Sequence, residues 1–112
     1  MTRAEKIMLI YPPDRVVRGY SRASVPLGLA YLAAVVREEA DVCILDAKAE
    51  GYGNVEPADE KFLRYGLPAS EIRRRMERFA PDVVGVSCIV SINWPEVVRM
   101  LRLAKELNPD II

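Results

Sequence analysis

The sequence predicts an α/β fold in three layers, with one parallel sheet between two layers of helix. Three short apolar runs, residues 7–11, 42–45 and 83–86, alternate with three helical patterns. Each run is continuous rather than alternating, as expected of strands covered on both faces. Alternation of this kind implies right-handed crossovers between parallel strands.

The elements follow in order. The first strand is Ile7-Met8-Leu9-Ile10-Tyr11. A long loop, residues 12–24, separates it from a helix over about residues 26–39. That helix is apolar around its whole axis, so it is expected to be largely buried. Pro26 suits its first turn, where a missing N–H costs nothing. The second strand ends at Leu45-Asp46-Ala47. An irregular segment follows over residues 48–67, punctuated by Gly51, Gly53, Pro57 and Gly66, with a helical turn expected around residues 58–65. The second helix starts at Pro68 or Ser70 and ends at Phe79. Ile72, Met76 and Phe79 share its buried face, Arg73, Arg74, Arg75 and Arg78 form a solvated face, and Pro81 stops it. The third helix runs from near Pro95 to about Leu107, with Val97, Leu101 and Ala104 on one face and Asn93 as its cap. Ile111-Ile112 then read as the first residues of a fourth strand.

This order describes a Rossmann-like sheet with the flavodoxin-like strand order 2-1-3. Residues 1–112 read as a single partial domain, with the sheet truncated after the third helix, at the start of strand 4. Its exposed outer edge is expected to drive self-association.

Composition narrows the chemistry. The 112 residues carry 16 basic and 16 acidic side chains and no formal net charge, so charge argues for neither nucleic acid nor an anionic membrane as partner. No apolar stretch approaches the roughly 20 residues needed to cross a bilayer, and the apolar run after the N-terminus is too short for a signal peptide. A cytoplasmic location is expected. Cys43 and Cys88 lie inside apolar runs, the usual setting of buried, reduced thiols. Histidine is absent. That removes imidazole as base or metal ligand, and no zinc-type cluster exists; no metal ligands or catalytic residues are assigned.

Several ligand classes are excluded by what the loops lack. No glycine-rich dinucleotide fingerprint and no phosphate-binding P-loop occur. The loop after Tyr11 lacks the dense Ser/Thr/Gly content of a flavin phosphate site. The third strand ends in Ser87-Cys88, not in a phosphoacceptor aspartate. Three loops remain at the carboxyl edge, where open sheets bind ligands. The third, Ser87-Cys88-Ile89-Val90-Ser91-Ile92-Asn93-Trp94, is unusually apolar for an exposed loop. Two readings stand: a flat apolar ligand lies on it, or its apolar residues pack against the helix. Arg15, Arg18 and Arg22 in the first loop either meet polar groups of a ligand or face solvent. Asp46 either bonds a ligand or caps a turn. Nothing marks Cys88 as a reactive thiolate.

At this point the residues resemble a known family. Tyr11-Pro12-Pro13 followed by Val25-Pro26-Leu27-Gly28-Leu29-Ala30-Tyr31-Leu32-Ala33 is similar to the opening of the N-terminal cobalamin-binding domain of cobalamin-dependent radical S-adenosylmethionine enzymes. Leu45-Asp46-Ala47, Tyr65-Gly66-Leu67-Pro68 and Pro81-Asp82-Val83-Val84-Gly85-Val86-Ser87 match the same family in order. The resemblance implies that cobalamin lies at the carboxyl edge and faces a downstream radical S-adenosylmethionine domain. S-adenosylmethionine and a [4Fe-4S] cluster would be bound outside this chain. Carried over by position, Tyr11, Pro12, Pro13, Asp14, Ser87, Cys88, Ile89, Val90, Ser91 and Trp94 would lie near the corrin. The parent would be a methyltransferase or cyclase, and the fragment itself would not catalyse. Related methionine-synthase-type domains place a histidine under the cobalt in an Asp-x-His-x-x-Gly motif. Tyr11-Pro12-Pro13-Asp14 stands in its place, so no protein imidazole would ligate the metal. The rival reading is a non-catalytic doubly wound module for protein–protein contact.

Overall fold

A computed structural model describes residues 5–17 and 26–112. Strands β1 (Glu5–Tyr11), β3 (Ala40–Asp46) and β6 (Val83–Val86) form the main sheet, which is parallel and ordered β3-β1-β6. β1 pairs with β3 along its whole length, from Glu5 with Ala40 to Tyr11 with Asp46. On its other side it pairs with β6, from Ile7 with Val83 to Ile10 with Val86. In sequence order this is the expected 2-1-3. Ile112 extends it: its amide donates to Asp82 O (3.1 Å) and its carbonyl accepts from Val84 N (2.8 Å). That is the pattern of a parallel bridge, and it sets the chain beside β6, where a fourth strand is expected.

Helices α3 (Ala69–Phe79) and α4 (Trp94–Leu107) follow β3 and β6. The principal core lies between them and the sheet. Met8, Ile10, Leu45 and Val84 point into it from the strands, and Ile72, Met76, Met100 and Ala104 from the helices. Alternate strand residues point to opposite faces, which is why Met8 and Ile10 share this core and Leu9 lies on the other side. In α3, Ile72 and Met76 are buried and Phe79 is half-buried, as its spacing predicts. Ala80 closes that helix in the left-handed region at φ 52°, its amide bonded to Met76 O (2.8 Å). In α4 the stripe differs by one residue from expectation. Met100 is buried with Val97 and Ala104, while Leu101 is 39% exposed. Both positions fit the spacing from Val97 to Ala104; burial of Glu96, one turn before Met100, turns the buried stripe toward Met100 and leaves Leu101 at its edge.

Helix α1 (Leu27–Val36) corrects the sequence reading. It is shorter than expected, and Pro26 is its cap rather than part of its first turn. Only Leu29 is buried; Tyr31 and Val35 are 72% and 76% exposed. Apolarity on all sides states what a helix tolerates, not what covers it. Among the described residues α1 meets only one face of the β1–β3 ribbon, so its outer side is open.

The irregular segment is also organised differently. The expected turn of helix around residues 58–65 does not form. β2 (Asp14–Val16), β4 (Val55–Pro57) and β5 (Leu63–Tyr65) instead make a small antiparallel sheet in the order β2-β5-β4. A short helix, α2 (Ala47–Glu50), links it to the main sheet, and Asp46 caps α2 by accepting from Ala49 N (3.0 Å). Gly66 closes the segment against the first loop at φ +145°. A Cβ there would sit 2.8 Å from Ala47 O and 2.9 Å from Pro13 Cβ, so glycine is required both for its dihedral and for its room.

No helix among the described residues is long and apolar enough to cross a membrane.

Candidate functional site

Parallel pairing brings three strand ends to one edge. Tyr11 lies beside Asp46, and Ser87 N donates to Ile10 O at 2.9 Å. The first and third loops leave from this edge side by side. Residues 87–90 are followed by a single 3-10 turn at Ser91–Asn93, which delivers Trp94 as the first residue of α4.

The third loop presents an apolar surface. Ile89 is 74% exposed, Val90 49%, Ile92 39% and Trp94 55%. They are therefore not consumed by packing against α4, which favours the ligand reading over the packing one. Beside them a cleft of about 450 Å³ runs between α1 and the sheet. Leu9, Tyr11, Leu29, Leu32, Gly85 and Ile89 are among its lining residues. At Gly85 a Cβ would approach Leu9 Cδ2 to 3.1 Å, so a side chain there would crowd the floor of the cleft. The surface and the cleft are together mostly apolar and open at the strand ends. That fits a flat, largely apolar ligand better than a small polar substrate.

The first loop contributes differently from expectation. Pro12 and Pro13 are fully buried, so they shape the turn below the edge rather than offer surface to a ligand. Tyr11 lines the cleft. Asp14 is engaged within the protein: Asn93 Nδ2 donates to its Oδ1 (3.2 Å), and Lys48 Nζ stands 3.4 Å from its Oδ2. Lys48 Nζ also lies 5.9 Å from the centre of the Tyr11 ring. Arg15 is engaged within the protein as well. It is ion-paired with Asp59 and stacked 4.2 Å over the Phe62 ring. Arg18 and Arg22 lie outside the described residues.

Asn93 does not cap α4 through its side chain. The side chain reaches across to the first loop, accepting from Arg15 N (2.9 Å) while donating to Asp14. One turn further on, Glu96 is fully buried and its Oε1 accepts from Arg64 Nε (2.7 Å) and Arg99 Nε (3.1 Å). These contacts clamp the small sheet onto the start of α4. The sequence signals Asn93 but not its partner. Lys48, Arg64 and Glu96 give no signal in it, because pairing across elements has no local pattern.

The cysteines differ from each other. Cys43 is half-buried, and burial raises its thiol above the ordinary value of 9.0. Cys88 is exposed rather than buried, because the strand ends at Val86 and the chain turns outward; its Sγ lies 3.5 Å from Val90 O. Among the described residues no group of three or more His, Cys, Asp or Glu side chains is placed to hold a metal ion.

Comparison with known proteins decides the class of that ligand. The B12 binding domain family model matches residues 16–112. The chain belongs to the B12-binding domain family. Its sheet, strand order and open carboxyl edge accord with that assignment. The chain is 41% identical over 114 residues to a cytidylyl-2-hydroxyethylphosphonate methyltransferase of Streptomyces wedmorensis, a match that spans 98% of the chain and 21% of that protein. It is 33% identical over 108 residues to an uncharacterized methyltransferase of Pyrococcus horikoshii, spanning 95% of the chain and 20% of the relative. It is 31% identical over 87 residues to an anaerobic magnesium-protoporphyrin IX monomethyl ester cyclase of Rubrivivax gelatinosus, spanning 78% of the chain and 13% of the relative. The chain thus spans about a fifth or less of the length of these curated relatives. No solved structure matches it.

Proposed function

We propose that this B12-binding domain holds cobalamin against its carboxyl-edge loops, with the apolar third loop under one face of the corrin. The observation that carries the proposal is the exposed surface of Ile89, Val90, Ile92 and Trp94 beside the cleft between α1 and the sheet. A contiguous exposed apolar patch of this kind marks a site where a ligand or partner is bound. Ser87, Cys88 and Ser91 lie on the same loop and Tyr11 on the cleft wall. Asp14 acts through Asn93 and Lys48, and Pro12 and Pro13 act by shaping the turn.

A bound corrinoid supplies cobalt-centred group-transfer chemistry that no side chain of this sequence offers. The residues bind and orient it and keep water off its face. This chain contains no histidine, so its own loops would offer the metal no imidazole ligand.

The same reading extends to the longer protein. The named relatives are two methyltransferases and a cyclase. We propose that this domain stands in front of a radical S-adenosylmethionine domain that holds S-adenosylmethionine and a [4Fe-4S] cluster, a reading that the methyltransferase and cyclase names of the relatives support. In isolation the domain self-associates, because β6 is an outer strand of the sheet and α1 presents an apolar outer face.

Equilibrium dialysis against hydroxocobalamin tests the binding, which should saturate at one corrinoid per chain. Electron paramagnetic resonance of the bound cob(II)alamin tests the ligation. The nitrogen splitting should be the same for unlabelled and 15N-labelled protein, and a change on labelling would show a protein nitrogen on cobalt.

A further inference from the structure

The two loops that carry the proposed site are 79 residues apart in sequence, and one buried side chain joins them. Asn93 is 6% exposed. Its Oδ1 accepts the backbone N–H of Arg15 at 2.9 Å, which fixes the amide so that Nδ2 faces the Asp14 carboxylate at 3.2 Å. The asparagine amide accepts at Oδ1 and donates at Nδ2, on two separate atoms; aspartate lacks the donor and alanine lacks both. The tie joins the start of the first loop to the end of the third. On one side Asp14 follows Tyr11-Pro12-Pro13, and on the other Trp94 follows Asn93 directly. Lys48, 3.4 Å from the second oxygen of Asp14, holds that carboxylate from the opposite side.

We infer that Asn93 is a positioning residue of the corrinoid site: through Arg15 N and Asp14 it sets the gap between the first and third loops. It touches no ligand itself. Its effect on affinity comes from holding Trp94 and the 89–92 surface at a fixed distance from Tyr11. This rests on the proposed cobalamin site, and the experiment separates the two. If the wild-type chain binds no hydroxocobalamin, the site proposal fails first, whatever Asn93 does.

Hydroxocobalamin affinity is measured for the wild type, Asn93→Ala, Asn93→Asp and the double variant Asp14→Asn/Asn93→Asp. Loss of a buried hydrogen-bonded side chain should weaken binding about tenfold in Asn93→Ala. Asn93→Asp sets two carboxylates against each other and should weaken it at least as much. The double variant exchanges donor and acceptor across the same gap and keeps the bond to Arg15 N but gives up the Lys48–Asp14 ion pair, so affinity should recover by about threefold or more over Asn93→Asp without reaching wild type. Amide hydrogen exchange provides a ligand-free readout: the Arg15 N–H should exchange faster in Asn93→Ala and recover protection in the double variant. Wild-type affinity in Asn93→Ala overturns the inference. So does a double variant that binds no better than Asn93→Asp while regaining Arg15 protection, since the tie would then exist without governing the site.

Discussion

Single residues at this edge are held by partners distant in sequence. Asn93 precedes a helix and has the chemistry of a cap, yet its amide is spent on Arg15 and Asp14. A cap preference is a local rule, and a buried backbone N–H across the gap is a stronger claimant. Glu96 shows the same principle with charge. It is fully buried, its Oε1 is shared by Arg64 and Arg99, and Arg64 also reaches Glu56 at 3.1 Å. Removing one partner of a buried ion pair strands the other. Glu96→Ala should therefore lower stability by about 3 kcal/mol, the low end for such losses because Glu56 still faces Arg64. Chemical denaturation measures this; a change below about 0.5 kcal/mol would mean that the carboxylate contributes no more than an ordinary surface residue.

At the scale of elements, legibility follows length. The three main strands are readable as continuous apolar runs, and helices α3 and α4 because each carries several turns of helical period. β2, β4 and β5 have three residues each, too few to show a period of two, so the segment reads as loop with a helical turn. For helix α1 the sequence locates the element but misjudges its burial. Ten consecutive residues without a charge say nothing about which neighbour will cover them. Its open face should drive association of the isolated domain. Tyr31→Glu with Val35→Glu changes only exposed positions, so stability should shift by no more than about 0.5 kcal/mol each. Sedimentation velocity should show less self-association for this pair of changes than for the wild type. An unchanged distribution would assign the association to the sheet edge instead.

Across the whole molecule, the fold is a device for gathering loops. A central β1 flanked in parallel by β3 and β6 delivers Tyr11, Asp46 and Ser87 to one edge, and the small sheet with α2 braces that edge from below. The candidate site is half legible in the sequence. Its apolar third loop stands out because exposed loops seldom carry Ile, Val, Ile and Trp together. The inward roles of Pro12, Pro13 and Asp14 are not legible, because burial of a loop residue depends on what folds over it. The chain has a single tryptophan, Trp94, and it lies 55% exposed on the proposed corrinoid surface. Its fluorescence during a hydroxocobalamin titration, corrected for absorbance with free N-acetyltryptophanamide, reads out whether the corrinoid lies on the third loop. Quenching should be strong and saturable with the same midpoint as equilibrium dialysis, and weakened by Ile89→Glu. Saturable binding in dialysis with Trp94 emission unchanged would contradict the proposed site by placing the corrinoid elsewhere, and absence of binding would contradict it outright.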